Sequence, residues 1–268
     1  NKKKLNLLDQ LKVYKFLSKN KFHSVIICAA RAGGIYANNK FKTNFIFENL
    51  QIQNNLIYGS HISDVKKLIF LGSSCIYPKN SRQPMREEDL LSGYLEPTNE
   101  PYAIAKIAGI KLCESIKFQY KKDFRSLMPT NLYGVNDNFD LKNSHVIPAL
   151  IRKFHESKIN KKKNTVVWGS GKVFRDFLYV DDLAQAILKI YKLPKKKYEN
   201  LTQGVSHINV GSGKQITIKA IANKIKDTVG FKGNILFDKS KPDGMKLKML
   251  SNKRIYKTGW RQKIYLEL

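Results

Sequence analysis

Tyr102 and Lys106 lie four positions apart and form the clearest candidate for proton-transfer chemistry in the sequence. In a helix predicted over residues 100–120, this spacing places both side chains on one face. A neighbouring ammonium favours the charged phenolate, so we expect a lowered pKa for Tyr102 and proton exchange near neutral pH. Tyrosine and lysine also occur at this spacing by chance in helical proteins. The pair therefore needs support from its surroundings.

A second segment, Gly72-Ser73-Ser74, gives that support, because it follows an apolar run that begins at Lys67. Such a run predicts a buried parallel strand, and open α/β sheets bind their ligands at the carboxyl ends of their strands. Pro101, just before Tyr102, is typical of the first turn of a helix. A sheet edge followed by a helix start is the setting that a proton-transfer site requires.

The elements that would position these residues alternate between apolar strands and amphipathic helices, which indicates an α/β protein. Strands are predicted at 24–30, 67–74, 124–128, 165–168, 177–180, 207–210 and 234–237. Helices are predicted at 43–61, 100–120, 146–157 and 217–228, and another begins at Asp181-Asp182, which suit a cap and a first-turn acid. We predict a doubly wound parallel sheet of the Rossmann type with an appended lobe.

One expected feature of a dinucleotide-binding fold is absent. Such a fold should open with a strand, a Gly-rich turn and a helix, whose backbone N–H groups reach the pyrophosphate. No Gly-rich turn precedes Ser24, the earliest glycines are Gly33 and Gly34, and the sequence starts without Met. Two interpretations stay open at this point: a fragment of a longer dinucleotide-binding protein, or a protein that binds no dinucleotide.

Composition excludes several classes of protein. The 268 residues carry a formal net charge of +28 and 42% hydrophobic residues. The apolar fraction excludes intrinsic disorder, and the lack of a long apolar run or a signal-like start predicts a soluble cytoplasmic protein. Only 8 of the 49 basic residues are Arg, on which nucleic-acid readers rely, so we attribute the charge to a Lys-rich background or to steering of an anionic substrate. Three cysteines are too few for a disulfide framework or a zinc site, and Cys28 and Cys113 are expected in the core.

Two motifs resemble those of the extended short-chain dehydrogenase/reductases. Residues 69–77, Ile-Phe-Leu-Gly-Ser-Ser-Cys-Ile-Tyr, are similar to their serine segment, and residues 96–106 are similar to their Tyr-x-x-x-Lys helix. Stretches at 31–39, 128–134, 143–150 and 241–244 make the resemblance specific to the GDP-L-fucose synthase family and extend it over essentially the whole chain. The resemblance implies that the first strand, a Gly-rich loop with its helix, and the second strand lie upstream of residue 1. It also implies that more chain follows Leu268.

This resemblance implies an NADPH-dependent enzyme that converts GDP-4-keto-6-deoxy-D-mannose to GDP-L-fucose, by epimerisation at C3 and C5 and then reduction at C4. Tyr102 would protonate the C4 alkoxide, Ser73 would hydrogen-bond to the same oxygen, and Lys106 would hold the nicotinamide ribose. Cys75 and His145 would be the acid/base pair at C3 and C5, because a thiol and an imidazole both exchange protons near neutral pH. Two structural alternatives stay open: Cys75 as a packed thiol at a strand end, and His145 as a cap of the helix at 146–157.

The family's binding positions carry over residue by residue. For NADP(H) the resemblance implies Asn6, Leu71, Gly72, Ser73, Ser74, Lys106, Pro129, Thr130, Asn131, Leu132 and His145. For the GDP-sugar it implies Lys153, Trp168, Arg175 and Asp243, with the Arg175 guanidinium on the diphosphate and with a core position as the alternative for Trp168. We expect no metal and no nucleic-acid or membrane partner, and the resemblance implies a homodimer by analogy. Lys248 and Asn252 depart from the family's usual sequence.

The implied domain organisation has two parts, both incomplete. An NADP-binding Rossmann-like domain would span 1–144 plus about 174–212, and a substrate-binding lobe would span about 145–173 plus 213–268. Three alternatives stay open. The first is a nucleotide-sugar-binding protein that is not catalytic, because it lacks the Gly-rich loop. The second is another epimerase or dehydratase of the family, which would not require Cys75 and His145 together. A Lys-rich nucleic-acid binder is the third.

Overall fold

The computed structural model describes residues 4–141 and 143–266. Within them the α-helices are α1 (Gln10–Asn20), α2 (Ile35–Lys40), α3 (Lys42–Ile62), α4 (Glu100–Tyr120), α5 (Val146–Ile159), α6 (Val180–Lys192), α7 (Lys195–Leu201), α8 (Ile218–Val229) and α9 (Lys253–Tyr256). The strands are β1 (Ser24–Ile27), β2 (Lys67–Leu71), β3 (Asp123–Pro129), β4 (Asn131–Tyr133), β5 (Asn164–Trp168), β6 (Phe174–Arg175), β7 (Phe177–Tyr179), β8 (Ile208–Val210), β9 (Ile216–Thr217), β10 (Asn234–Asp238) and β11 (Leu247–Lys248). Two 3-10 turns lie at Ser74–Ile76 and Glu87–Asp89.

A parallel four-stranded sheet in the order β1-β2-β3-β8 is covered by helices on both faces. Successive side chains of a strand point to opposite faces, and β2 is apolar at each position from Leu68 to Phe70. Leu68 and Phe70 pack in the cluster that includes residues of α3 and α4, whereas Ile69 packs in the cluster that includes residues of α6. The predicted doubly wound parallel fold is confirmed.

A third hydrophobic cluster forms a smaller lobe. Its buried residues come mainly from α5, α8 and the neighbouring strands, and include Phe154, Val167 and Ile221. Parallel pairing of β5 with β10 adds a short sheet to this lobe, and β6 pairs with β11 in parallel and with β9 in antiparallel orientation. The boundaries between the two predicted domains stay a prediction.

The structure corrects several local predictions. Strand β2 ends at Leu71, because the chain turns into the 3-10 turn Ser74–Ile76. The cap of α6 is Tyr179 rather than Asp181, whereas the predicted acid in the first turn is confirmed. The Asp182 carboxylate also accepts hydrogen bonds from the backbone N–H groups of Lys263 and Ile264. Cys28 is exposed, contrary to the prediction, as is Ile26 in the preceding strand β1, which lies at one edge of the four-stranded sheet; Cys113 is buried as expected. Short elements without a long apolar run were not predicted: α1, α2, α7, α9, β4, β6, β9 and β11. No helix in the described part of the chain is both long enough and apolar enough to cross a bilayer.

A buried carboxylate ties the 3-10 turn at Glu87–Asp89 to the central sheet. Glu87 is only 3% exposed, and its carboxylate accepts a hydrogen bond from the Asn209 backbone N–H at 3.0 Å. Burial raises the pKa of Glu87 to about 7, although the hydrogen bond from Asn209 and the charge of Arg254 oppose this change. The carboxyl group is therefore held in a site that favours its neutral form.

This site gives the stability of the protein a defined pH dependence. The folded pKa of Glu87 lies above its ordinary value of 4.5, so the folded state binds the extra proton between pH 4.5 and about 7. The stability that this proton contributes is fully present below pH 4.5 and is lost as the pH rises through 7. We expect Glu87→Gln to remove this decline, which is at most about 3 kcal/mol in the free energy of unfolding.

Urea unfolding at stepped pH measures the decline in both proteins. Glu88→Gln is the matched control, since Glu88 lies on the same turn but is largely exposed beside Arg254, and its pKa is lowered rather than raised. An equal decline in the wild-type protein and in Glu87→Gln would contradict the assignment.

Candidate active site

The carboxyl end of β2 turns sharply and places Ser73 and Cys75 beside the start of α4. The Gly72 backbone N–H donates to the Leu127 carbonyl at 2.9 Å, and a Cβ at Gly72 would lie 2.3 Å from the Met128 sulfur. A larger residue at Gly72 would require the flexible end of the Met128 side chain to move. The Ser73 hydroxyl then accepts a hydrogen bond from the Cys75 backbone N–H at 3.2 Å and caps the 3-10 turn.

Lys106 lies buried beneath Tyr102 on α4. Its ammonium donates to the Leu71 carbonyl at 2.8 Å, and its Nζ lies 5.8 Å from the centroid of the Tyr102 ring. Burial lowers the pKa of Lys106 to about 8. The helix thus places the predicted pair at the carboxyl edge of the sheet, next to Ser73.

The predicted lowering of the Tyr102 pKa is wrong for this structure. Burial raises the pKa of Tyr102 well above its ordinary value, the negative charge of Cys75 raises it further, and a hydrogen bond with Ser73 opposes the change. The Lys106 ammonium donates to a backbone carbonyl instead of to the phenol oxygen, so it does not offset the loss of hydration. Tyr102 is therefore held as the neutral phenol, which is a proton donor.

Polar groups surround the Cys75 sulfur. The Lys248 ammonium donates to Sγ at 3.1 Å and the Asn99 side-chain amide donates to it at 3.4 Å. Burial alone would raise the pKa of Cys75, but the Lys248 charge, hydrogen bonds with Ser73 and Lys248, and the Arg175 charge together lower it. These surroundings differ from those of an inert packed thiol, which is apolar and has a raised pKa.

His145 occupies the N-cap position of α5, but its side chain makes no capping hydrogen bond. His145 is exposed, although neighbouring groups remove part of the water around its ring. Desolvation there lowers the pKa of His145, the charge of Asp137 opposes the change, and the charge of Lys248 adds to it. The charge of Lys248 therefore acts on both His145 and Cys75, and the imidazole is neutral at neutral pH and able to accept a proton.

The predicted cofactor segments lie at the carboxyl ends of neighbouring strands, with one exception. Leu71 to Ser74 follow β2, and Pro129 to Leu132 follow or end β3, where Thr130 and Asn131 side chains both donate to the Asp176 carbonyl at 3.0 and 3.1 Å. Asn6 lies apart, in the turn before α1, and its side chain accepts a hydrogen bond from the Leu8 backbone at 3.3 Å. The structure does not bring Asn6 into contact with the other predicted residues among those described.

The predicted substrate residues lie on the smaller lobe and on the strands that join it. The Lys153 ammonium lies 5.4 Å from the centroid of the Trp168 ring and donates to the Val166 carbonyl at 3.0 Å. Trp168 is 45% exposed, so the alternative of a core position for it is wrong. The Arg175 guanidinium donates to the carbonyls of Asp243 at 2.8 Å and of Met245 at 2.7 Å, which joins two of the predicted residues through the backbone. The contact of Arg175 with a diphosphate stays a prediction.

Sequence reasoning missed the two side chains that contact the Cys75 sulfur. Asn99 lies within the motif that precedes Tyr102, yet nothing in its spacing indicates that its amide reaches a thiol. Lys248 is 173 positions from Cys75, and it reaches the site because two-residue strands pair Lys248 with Arg175. Pairs of such short strands leave no periodic pattern in a sequence.

The residues at the sheet edge fit a nucleotide cofactor. The Lys106 ammonium carries three donors, and among residues 4–141 and 143–266 it makes a single hydrogen bond, to the Leu71 carbonyl, so donors remain for ribose hydroxyls. Small residues at Gly72 and Ser73 let a ligand approach the backbone closely. In the described ranges no group of three or more His, Cys, Asp or Glu side chains is arranged to hold a metal ion.

Comparison with known proteins gives consistent matches. The NAD dependent epimerase/dehydratase family matches residues 1–211. A GDP-L-fucose synthase of Escherichia coli (strain K12) is 53% identical over 264 residues, which cover 98% of this chain and 82% of the relative. A solved GDP-6-OMe-4-keto-L-xylo-heptose reductase from C. jejuni is 35% identical with a TM-score of 0.93, covering 99% of this chain and 85% of that one. A GDP-L-fucose synthetase from Naegleria fowleri, solved bound to NADP, is 30% identical with a TM-score of 0.82, covering 97% and 78%.

Proposed function

The chain belongs to the NAD-dependent epimerase/dehydratase family, and we propose that it converts GDP-4-keto-6-deoxy-D-mannose to GDP-L-fucose with NADPH as the reductant. The observation that carries this proposal is the Cys75 thiol, recessed beside Ser73, with a lowered pKa and an ammonium at 3.1 Å from its sulfur. A reductase needs no such base. An enzyme that also inverts carbon centres does.

Epimerisation uses the acidity that the C4 ketone confers on the C–H bonds at C3 and C5. The Cys75 thiolate removes a proton from one face of the sugar ring, and the electron pair passes to the C4 oxygen. His145 first takes a proton from the solvent, and its imidazolium form then protonates the carbon from the opposite face, which completes the inversion. The lowered pKa of Cys75 makes its thiolate available as a base, and an imidazole exchanges protons with the solvent near neutral pH.

Reduction at C4 follows at the same sheet edge. NADPH, when bound, supplies the hydride. Tyr102 donates its phenolic proton to the C4 oxygen. Because the pKa of Tyr102 is raised, the phenol keeps this proton until negative charge develops on the C4 oxygen. The Ser73 hydroxyl donates a hydrogen bond to the same oxygen. Lys106 holds the nicotinamide ribose through the N–H donors of its ammonium that are not bonded to the Leu71 carbonyl.

The two ligands occupy different parts of the molecule in this proposal. The cofactor lies along the sheet edge at Leu71–Ser74 and Pro129–Leu132, with Lys106, His145 and Asn6. The GDP-sugar lies against the smaller lobe, where Lys153, Trp168, Arg175 and Asp243 bind it. We also propose the division into an NADP-binding domain (1–144 plus about 174–212) and a substrate lobe, a cytoplasmic homodimer as the working form, and no nucleic-acid, membrane or metal partner.

The direct test is an assay of the protein encoded by the full reading frame. With GDP-4-keto-6-deoxy-D-mannose and NADPH, we expect a loss of NADPH absorbance and formation of GDP-L-fucose, identified by NMR. Absence of turnover in a folded protein that binds NADPH would contradict the proposal.

A C4 reductase without epimerase activity is the second candidate, favoured by the match to the C. jejuni heptose reductase. The two candidates differ in what happens at C3 and C5. Only an epimerase/reductase exchanges the protons on these carbons with the solvent, so isotope exchange separates them.

A further inference from the structure

Lys248 is a buried cation whose partner is a sulfur atom. It lies on β11, opposite Arg175 on β6, and is only 7% exposed. A buried ammonium is costly unless an opposite charge or a hydrogen-bond acceptor compensates it. Within residues 4–141 and 143–266 no carboxylate lies in ion-pair range of Lys248, and the side-chain contact that it makes is the hydrogen bond to Cys75 Sγ at 3.1 Å. The sulfur is thus the group that balances the ammonium.

Groups on each element around Cys75 act on the sulfur. Lys248 on β11 and Arg175 on β6 supply positive charge, and Ser73 at the end of β2 supplies a hydrogen bond. Asn99, just before α4, donates its amide N–H at 3.4 Å, and Tyr102 on α4 is close enough for the charge of the sulfur to raise its pKa. Of the two cations, Lys248 is the one whose nitrogen contacts the sulfur, so its removal should change the thiol most.

We propose that Lys248 is a positioning residue for proton transfer, whose ammonium keeps the Cys75 sulfur as a thiolate and fixes it in place as the base. The proton that leaves carbon is bound by the sulfur, the C–H electron pair moves to the C4 carbonyl oxygen, and the ammonium keeps all of its own protons. The inference rests on the proposed function for the substrate that the base acts on. The pairing of Lys248 with Cys75 is a property of the fold.

The test measures the ionisation of Cys75 directly, in a Cys28→Ser background that removes the exposed second thiol. Cys113 stays silent, because burial raises its pKa to about 12. We expect Lys248→Met to move the titration of thiolate ultraviolet absorbance to higher pH and to slow alkylation by iodoacetamide at neutral pH by about tenfold or more. Lys248→Arg should retain most of the reactivity, since it keeps a cation at the sulfur.

Lys246→Met is the matched control, because it removes an exposed lysine from the same segment two residues away. We expect its thiol titration and alkylation rate to match those of the parent. If Lys248→Met does not fold, the rates of Lys248→Arg and Lys248→Gln decide the question, with the first fast and the second slow. Unchanged thiol ionisation in the folded Lys248→Met protein, with only a raised KM for the GDP-sugar, would overturn the inference and indicate a substrate contact instead.

These outcomes separate the inference from the proposed function. The thiol measurements need neither substrate nor cofactor. A Lys248-dependent thiolate in a protein that turns over no GDP-sugar supports the pairing while the proposed function fails. If the protein turns over the GDP-sugar and Lys248→Met leaves the rate of isotope exchange unchanged, the inference is overturned and the proposed function stands.

Discussion

Cys75→Ser is expected to slow solvent exchange at C3 and C5 of the keto sugar by about a thousandfold, within the range typical for loss of a general base. A serine hydroxyl has nearly the shape of the thiol but is far less acidic, so the Lys248 ammonium cannot ionise it. The measurement is deuterium incorporation into GDP-4-keto-6-deoxy-D-mannose in D₂O with oxidised cofactor, so that no reduction occurs. Deuterium is read by NMR at each carbon.

Cys28→Ser is the control for this experiment, since Cys28 is an exposed thiol at the same sheet edge whose pKa is raised by burial, an effect that the charge of Lys106 opposes without reversing. It should exchange at the parental rate. Exchange at a normal rate in Cys75→Ser would show that another group is the base, and the assignment of Cys75 would be abandoned.

Tyr102→Phe is expected to reduce NADPH oxidation with the keto sugar by about a hundredfold to ten-thousandfold. The substitution removes the phenolic proton and leaves the ring, which makes an edge-to-face contact with Phe45 at 6.2 Å between centroids. Exchange at C3 and C5 should continue, because the base for that step is on Cys75. NADPH absorbance in steady state gives the first rate, and deuterium incorporation gives the second.

Tyr120→Phe provides the matched control on the same helix. Tyr120 is 49% exposed at the end of α4, far along the helix from the sheet edge, so loss of its hydroxyl should leave both rates unchanged. Equal losses of reduction and exchange in Tyr102→Phe would mean that the phenol serves both steps, against the roles assigned above.

The central sheet was predictable because a strand that is buried on both faces has an uninterrupted run of apolar residues. Leu68, Ile69 and Phe70 are all apolar since each meets a packed helix layer. In β1 only Ile27 is fully packed in this way, and Ile26 is exposed. Ser73 and Tyr102 were found for a different reason. Each lies in a local motif, and the ends of parallel strands and the starts of the following helices meet at one edge of a doubly wound sheet.

What the sequence could not show depends on three-dimensional surroundings. The direction of the Tyr102 pKa shift depends on burial and on where the Lys106 ammonium points, and the spacing of four reports neither. The Lys248–Cys75 contact depends on the pairing of β6 with β11, strands of two residues each. The exposure of Cys28 depends on the place of β1 at one edge of the four-stranded sheet. Patterns of residue type predict elements, whereas these three properties arise from how the elements meet.

One measurement tests the central claim that a single site exchanges protons at C3 and C5 and reduces C4. The protein is given GDP-4-keto-6-deoxy-D-mannose and NADPH in D₂O, and the hydrogen isotope at each ring carbon of the product is read by NMR. We predict GDP-L-fucose with deuterium at C3 and C5 and protium at C4, since the C4 hydrogen comes from the cofactor. A product reduced at C4 that keeps protium at C3 and C5 would contradict the account and identify the protein as a reductase alone.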